Sequence, residues 1–217
     1  QTKNGDDRNR SAPSPSNRLK YIIGGALFAA LLVAVFMLSN RMAATQSVGF
    51  PNFQDSQFTL LDQNGQQRRP DDFAGQPIAL FFGFTYCPDV CPTTLSDISG
   101  WLDDLGEDVA EMNVVFITVD PERDTVEVMA EYVSYFHPAI QGWSGTTDET
   151  RQAAEDFRAR YEKVATEDRD YTMNHTASVF LFDAEGQFAG TIDYHEQREF
   201  AVPKIRRVLA RTEEETS

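Results

Sequence analysis

The sequence is poor in the side chains that bind metals through sulfur or nitrogen, with two cysteines and three histidines among 217 residues. No second cysteine pair is present, so a zinc knuckle is excluded. Basic residues are also scarce, because 19 Lys and Arg face 34 Asp and Glu for a net charge of −15. A nucleic-acid partner, which needs a basic patch, is therefore not expected. The acidity is consistent with solubility or with a surface that steers a cationic partner.

Charge is absent altogether from residues 21–38. At about 1.5 Å per residue, this run is just long enough to cross a hydrocarbon core of about 30 Å. Five basic residues precede the run, whereas Arg41 is the only basic residue between the run and Arg68. The positive-inside rule then puts the N-terminus in the cytoplasm. A cleaved signal peptide is the alternative, but its apolar region is usually only about 7–15 residues long.

The apolar run divides the chain into unequal parts. The first 40 residues hold 5 basic and 2 acidic residues, which leaves 14 and 32 in the remainder and a net charge of −18 there. That remainder is long enough for one domain with a real core.

The absence of an Arg-rich, acid-poor transit segment favours a bacterial inner membrane and periplasm over the mitochondrial inner membrane and intermembrane space. The predicted divisions are a cytoplasmic tail at 1–20, a transmembrane anchor at 21–39, a linker at 40–52, a domain at 53–212 and an acidic tail at 213–217.

Apolar runs separated by turn residues predict an α/β domain. The continuous run at 78–84 is typical of a strand covered on both faces. The order strand, helix, strand, helix, helix, hairpin, helix predicts a mixed sheet with helices on both faces. The other predicted elements are a strand and turn at 57–65, a helix from Pro92, a strand at 114–119, a helix capped by Asp124, a helix at 149–161, a hairpin at 179–192 and a helix at 201–211.

Cys87 and Cys91 fall at the junction between the strand at 78–84 and the helix from Pro92. A helix N-terminus favours the thiolate, which both redox and metal chemistry require. Three intervening residues make the loop wider than the usual Cys-x-x-Cys redox pair. A structural disulfide is a weaker alternative, because so short a loop constrains the unfolded chain little.

A metal bound by two thiolates needs further ligands, and His175 is the best candidate. It immediately precedes the predicted hairpin, so we expect it in a loop near the cysteines, although an exposed loop histidine has the same spacing. His137 is expected to cap a helix end and His195 to be solvated. Two thiolates and an imidazole suit copper, and Zn²⁺ would also accept them.

The run at 83–92, Gly-Phe-Thr-Tyr-Cys-Pro-Asp-Val-Cys-Pro, resembles the signature of the Sco/SenC copper-binding proteins. The resemblance continues at 119–125 and 132–138 and covers nearly all of residues 53–210. It implies a thioredoxin-like fold with copper ligands at Cys87, Cys91 and His175, and it matches Asp120 to an acidic residue near the metal. The family usually has Asp immediately before the ligand histidine, whereas this chain has Asn174, a change near the metal that can alter affinity or docking.

The resemblance also implies a function. Sco/SenC proteins are membrane-anchored assembly factors for cytochrome c oxidase, so the leading hypothesis is a copper metallochaperone that serves the binuclear copper site of oxidase subunit II and is loaded by an upstream copper donor. The first alternative is a thiol-disulfide oxidoreductase that reduces the copper-binding cysteines of subunit II, for which His175 is not required. A copper or redox sensor is a third hypothesis, without a dedicated feature in the sequence.

Overall fold

The computed structural model describes residues 49–167 and 170–215, all of which fall in the compact unit Gly49–Ser217. The predicted cytoplasmic tail and transmembrane anchor, and most of the predicted linker, lie outside the described residues. Among those that are described, every helix is too short or too polar to cross a bilayer.

The described residues form nine strands and four α-helices. The strands are β1 (Leu60–Asp62), β2 (Gln67–Arg68), β3 (Ile78–Gly83), β4 (Asn113–Thr118), β5 (Ile140–Ser144), β6 (Tyr161–Ala165), β7 (Tyr171–His175), β8 (Val179–Phe182) and β9 (Phe188–Ile192). The helices are α1 (Val90–Leu105), α2 (Val126–Val133), α3 (Thr147–Asp156) and α4 (Arg198–Glu215). Short 3₁₀ turns add Phe53–Asp55, Pro70–Phe73 and Gly106–Glu111.

Seven strands form one mixed sheet in the order β2-β1-β5-β4-β3-β8-β9, and β6 pairs with β7 in a separate two-stranded sheet. β3, β4 and β5 run parallel, while β1 and β8 pair antiparallel with their neighbours. All six residues of β3 are buried. The unbroken apolar run therefore belongs to an interior strand, as the sequence predicts.

Side chains from helices pack on both faces of this sheet. On one face, Gly142 of β5 lies so close to α2 that an added Cβ would meet Val133 at 2.8 Å. On the other face, the ring of Phe157, just after α3, lies 5.3 Å from the ring of Phe182 in β8. The predicted mixed sheet with helices on both faces is confirmed.

Three features of the secondary structure differ from the prediction: the length of α3, the β6–β7 hairpin and β5. The helix predicted at 149–161 is only Thr147–Asp156, because Phe157 turns into the core and Arg158 adopts a left-handed conformation with φ of 55°. The chain then forms β6 and β7, neither of which was predicted. β5 was not predicted either. His175 is consequently the last residue of a strand rather than part of a loop.

The expected helix cap at Asp124 is also wrong. α2 is capped by Thr125, whose side chain accepts from the Val128 amide at 3.4 Å. Asp124 is fully buried and accepts hydrogen bonds from other parts of the fold. A buried carboxylate with strong donors is better satisfied there than at an exposed helix end.

The first described residues pack at the end of the sheet remote from the cysteines. The ring of Phe50 stacks on that of Phe188 at 4.1 Å, and the Phe53 amide donates to the Gly186 carbonyl at 2.8 Å. Gly186 lies in the β8–β9 turn, which follows Phe182, the partner of Ile78 at the start of β3. The cysteines follow the other end of β3.

Candidate metal centre

Cys91 lies against the end of β3, and the close approach depends on Gly83. A Cβ at that position would be 2.6 Å from the Cys91 sulfur and 2.7 Å from the Phe116 ring, closer than atoms can pack. Cys91 is fully buried, whereas Cys87, four residues earlier, is half-buried. The loop thus presents one thiol to the outside and keeps the other in the core.

The sulfur of Cys87 accepts a hydrogen bond at the start of α1. The side chain of Asp89, at the N-cap, makes no capping bond, and the Cys91 amide donates instead to the Cys87 sulfur at 3.4 Å. Helix N-terminal amides stabilise a thiolate in this position. The prediction that the pair sits at a strand-to-helix junction is confirmed, with the helix beginning at Val90.

The two thiols differ in acidity. A hydrogen bond from the Cys91 side chain, helped by His175 and by the backbone amides of Cys91 and Asp89, lowers the pKa of Cys87 to about 3 although burial opposes this. The Cys87 thiolate and burial together raise the pKa of Cys91 well above its usual range. The two thiols therefore ionise as a pair, and the half-buried Cys87 sulfur, which accepts from the Cys91 amide, is the better place for the first negative charge.

The imidazole of His175 faces the thiols through Nε2, which lies 3.4 Å from the Cys91 sulfur. Nδ1 lies 2.9 Å from the Thr176 carbonyl oxygen. A carbonyl can only accept, so Nδ1 carries a proton, and in the neutral ring Nε2 then has the lone pair with which histidine binds metals. The rings of Phe81 and Phe84 meet the imidazole edge-on at 6.1 and 5.8 Å and fix its plane.

Cys87, Cys91 and His175 each offer one donor atom, and these atoms all lie within 4.8 Å of one another. Metal bonds of about 2.3 Å to sulfur and about 2.0 Å to nitrogen hold donors roughly 4.3–4.6 Å apart at most, so a small contraction would close the site around one ion. No other group of three Cys, His or acidic donors converges within residues 49–167 and 170–215. Two sulfurs and one nitrogen fit a soft, low-coordinate ion.

The other two histidines lie outside this group. Nδ1 of His137 accepts from the Ala139 amide at 3.1 Å, a local bond at the chain turn after α2. The exposed ring of His195 lies 3.8 Å from that of Tyr194.

Asp124 links the cysteine loop, residues 84–91, to the end of β4 through hydrogen bonds. Its carboxylate accepts from the Thr85 amide at 3.0 Å, the Thr85 hydroxyl at 2.6 Å and the Thr118 hydroxyl at 2.6 Å. Burial raises the pKa of Asp124, an effect that these hydrogen bonds partly oppose. Nothing local in the sequence distinguishes Asp124 from a helix cap, so this role could not be predicted.

Asp120 contacts the hairpin of β6 and β7. It is 3% exposed, accepts from the Tyr171 hydroxyl at 2.9 Å and pairs with Arg123. Its predicted role near the metal stays a prediction, because these contacts reach the strand of His175 rather than the donor atoms. Asn174 is exposed.

Two open grooves flank the candidate centre. The larger, of about 810 Å³, lies on the histidine side and is lined by Arg151, Glu155, Ala159, Arg160, Tyr161, Glu162, Asn174, His175 and Thr176. The smaller, of about 310 Å³, lies on the cysteine side and is lined by Thr85, Tyr86, Cys87, Val128, Glu131, Tyr132 and Tyr135. A partner can therefore approach the donors from either side.

A mixed sheet with a dithiol between its interior strand and the following helix defines a thioredoxin-like protein, here with an imidazole beside the dithiol. The family model described as SCO1/SenC matches residues 47–210. The chain therefore belongs to the SCO1/SenC family.

Individual relatives agree with this assignment. The mitochondrial SCO2 homologue of Mus musculus is 39% identical over 156 residues, which are 70% of this chain and 61% of that protein. The SCO2-like protein of Rickettsia felis is 33% identical over 181 residues, or 80% of this chain and 88% of that protein. The chain thus spans 61% of the length of the mouse protein and 50% of its Danio rerio counterpart.

Solved structures share the fold. Bradyrhizobium japonicum ScoI with copper bound is 42% identical, with a TM-score of 0.65 over 70% of this chain and 96% of that chain. Yeast Sco1 with copper bound is 33% identical, with a TM-score of 0.63 over 69% and 84%.

Proposed function

We propose that this protein is a membrane-anchored copper metallochaperone that assists assembly of the binuclear copper site of cytochrome c oxidase subunit II. The observation that carries the proposal is the convergence of the Cys87, Cys91 and His175 donor atoms within 4.8 Å. Relatives at 33–42% identity have been solved with copper bound, which supports copper as the cargo. The ligand set and the oxidase target are extended to this chain from the family resemblance.

The donor set suits a cargo that must be released again. Thiolate ligands select cuprous ion, which accepts two or three ligands. Cys87 is half-buried beside a groove, so a thiolate of the partner can reach copper there while Cys91, in the core, still holds it. Stepwise exchange of one ligand at a time lets copper pass without entering solution.

The proposed location is a bacterial inner membrane, with the anchor at residues 21–39 and the domain in the periplasm; the mitochondrial inner membrane facing the intermembrane space is the alternative. The uncharged run at 21–38 and the basic residues before it support this topology. An upstream copper donor in the same compartment is part of the proposal.

Copper titration of the reduced full chain tests the site. We expect about one equivalent of Cu(I) in competition with a chelator, and His175→Ala should lower the affinity by more than about 100-fold, since loss of a ligand exceeds the 10–100-fold loss typical of outer contacts. His195→Ala is the matched control and should bind as the parent does. Unchanged affinity in His175→Ala would refute the three-donor site.

The acidity of Cys87 favours a second candidate function, reduction of a disulfide in subunit II. The Cys87 thiolate would attack one sulfur of that disulfide and release the other as a thiolate. Cys91, losing its proton, would then attack the Cys87 sulfur and release the second client thiol. The client gains two electrons, and the Cys87–Cys91 pair is oxidised to a disulfide.

Oxidase assembly in cells separates the two functions. In a strain that lacks this protein, His175→Ala should fail to restore the binuclear copper site if copper delivery is the function, and should restore it if reduction is sufficient. Cys87→Ser should fail under both, which confirms that the assay depends on this centre.

A further inference from the structure

Arg123 lies between the two parts of the candidate centre. Its side chain is only 16% exposed. The guanidinium carbon is 3.8 Å from the ring centroid of Tyr171 and 4.7 Å from that of Tyr86, and Nη1 donates to the Tyr171 carbonyl at 3.1 Å. Tyr86 immediately precedes Cys87, whereas Tyr171 begins the strand that ends at His175. The Arg123 side chain therefore contacts both the cysteine loop and β7.

Asp120 fixes the orientation of this guanidinium. Its carboxylate pairs with Nε of Arg123 and also accepts from the Tyr171 hydroxyl at 2.9 Å. Arg123 and Tyr171 are thus joined through the same nearly buried carboxylate. A planar guanidinium can stack on rings and donate in its own plane simultaneously, whereas an ammonium cannot.

The β6–β7 hairpin carries His175 and is called the histidine hairpin below. Its position depends on side-chain contacts such as those of Arg123 and Asp120, because β6 and β7 do not pair with the seven-stranded sheet. A two-stranded hairpin alone is only marginally stable in water. Alternate residues of a strand share a face, so Tyr171, Met173 and His175 lie on one side of β7. Met173 is 8% exposed, which shows that this side faces the core. Fixing the position of Tyr171 at one end of β7 therefore helps to fix the position of His175 at the other end.

We infer that Arg123 is a positioning residue for the metal centre, holding the β6–β7 hairpin against the cysteine loop so that Nε2 of His175 meets the two sulfurs. The inference rests on the proposed three-donor site. Arg123 contributes no ligand atom and acts through Tyr171 and the strand that follows.

A double-mutant cycle in the reduced full chain tests this inference. Arg123→Gln should lower Cu(I) affinity by roughly 10–100-fold, as changes to outer contacts of a metal site do. In the His175→Ala background the same substitution should cause no further loss, because the histidine through which it acts is gone. Arg68→Gln is the matched control: it removes a partly buried ion pair with Asp62, in the β1–β2 hairpin at the β2 edge of the sheet, and should leave copper affinity unchanged.

Hydrogen exchange of the metal-free protein provides a second measurement. Amides of β6 and β7 should exchange faster in Arg123→Gln than in the parent, with no comparable change in β3 or β4. Arg123→Lys should not restore protection or affinity, since its ammonium cannot reproduce the planar contacts. If Arg123→Gln does not fold, Arg123→Lys carries both measurements.

The outcomes separate this inference from the proposed function. If His175→Ala binds copper as the parent does, the three-donor site is wrong. If His175→Ala is weakened but Arg123→Gln and Arg123→Lys are not, the site stands and the positioning role is refuted. An equal loss from Arg123→Gln with and without His175 also refutes it, because the effect would not then pass through the histidine.

Discussion

The cysteine loop and the histidine hairpin bring their donors to the same point but are built differently. The loop follows β3, a fully buried strand with pairing partners on both sides, and Cys91 is itself fully buried. The hairpin is a separate two-stranded sheet in which Met173 alone is buried among the ten strand residues. The sulfur donors are thus held by the core, whereas the nitrogen donor is held by a few tertiary contacts.

This difference matters for the two candidate functions. A dithiol fixed by the core can perform thiol-disulfide exchange wherever the hairpin lies. A three-donor centre exists only while the hairpin is in place. Changes to the loop should therefore affect both chemistries, whereas changes to the hairpin should affect metal binding most, because thiol-disulfide exchange loses only the help of His175 in lowering the pKa of Cys87.

The largest effect should come from Gly83→Ala on the loop side. The added Cβ would lie 2.6 Å from the Cys91 sulfur, so either the helix start or the strand end must move. We expect a loss of about 2–3 kcal/mol in the free energy of unfolding, typical of overpacking, together with loss of copper binding and of the redox reaction. Denaturant unfolding and copper titration measure both.

Gly100→Ala is the control for this substitution. At Gly100, within α1, an added Cβ would meet only the Arg198 guanidinium, at 3.7 Å. We expect a gain of about 0.5–1 kcal/mol from the better helix former, with copper binding unchanged. If Gly83→Ala behaved in the same way, the cysteine loop would be more adaptable than its packing indicates.

Asp124→Asn should have an intermediate effect, also on the loop side. An amide offers one acceptor oxygen where both oxygens of the Asp124 carboxyl group accept hydrogen bonds, so we expect a loss of about 1–2 kcal/mol at acid pH, below the unfolded pKa of about 3.9. Burial raises the pKa of Asp124, so its stabilising contribution is fully present below the unfolded pKa and is lost as the pH rises through the folded pKa. The loss caused by the substitution should therefore shrink towards neutral pH, as urea unfolding at several pH values would show.

Asp62→Asn gives the opposite pH dependence and serves as the comparison. Burial raises the pKa of Asp62, but hydrogen bonds from the Gln66 and Asn64 amides and from Arg68 outweigh it, and the net pKa is lowered. Its stabilising contribution is present above the unfolded pKa and is lost as the pH falls. Parallel pH profiles for the two variants would contradict the environment assigned to Asp124.

The loop could be predicted from sequence because its signals are local. An unbroken apolar run predicts the buried strand, and Pro92 close after Cys91 predicts the helix start. The hairpin could not be predicted in the same way. Tyr161–Ala165 is largely exposed and alternates weakly, so its pattern does not predict a strand, and the helix predicted at 149–161 ends on its first residue.

The residues that support the site were missed for a related reason. Asp124 accepts from Thr85, 39 residues away, and Arg123 contacts Tyr171, 48 residues away. Helix-cap rules use only neighbouring residues, and they assigned Asp124 to a cap that Thr125 provides. The residues alone make Cys87, Cys91 and His175 candidate donors, and the family resemblance implies that they bind copper, whereas the contacts that hold them required the fold.

The smallest effect should come from Lys163→Gln on the hairpin side. The ammonium of Lys163 in β6 pairs with Glu122 at 2.8 Å and lies 3.8 Å from the centroid of the Tyr171 ring, but both charged side chains are largely exposed. Exposed pairs contribute little, so copper affinity should fall by less than about fivefold, with thiol-disulfide exchange unchanged. Arg69→Gln, which breaks the exposed pair with Asp71 on the other side of the fold, should alter neither. A loss as large as that from Arg123→Gln would mean that surface charge, rather than the buried guanidinium, holds the hairpin in place.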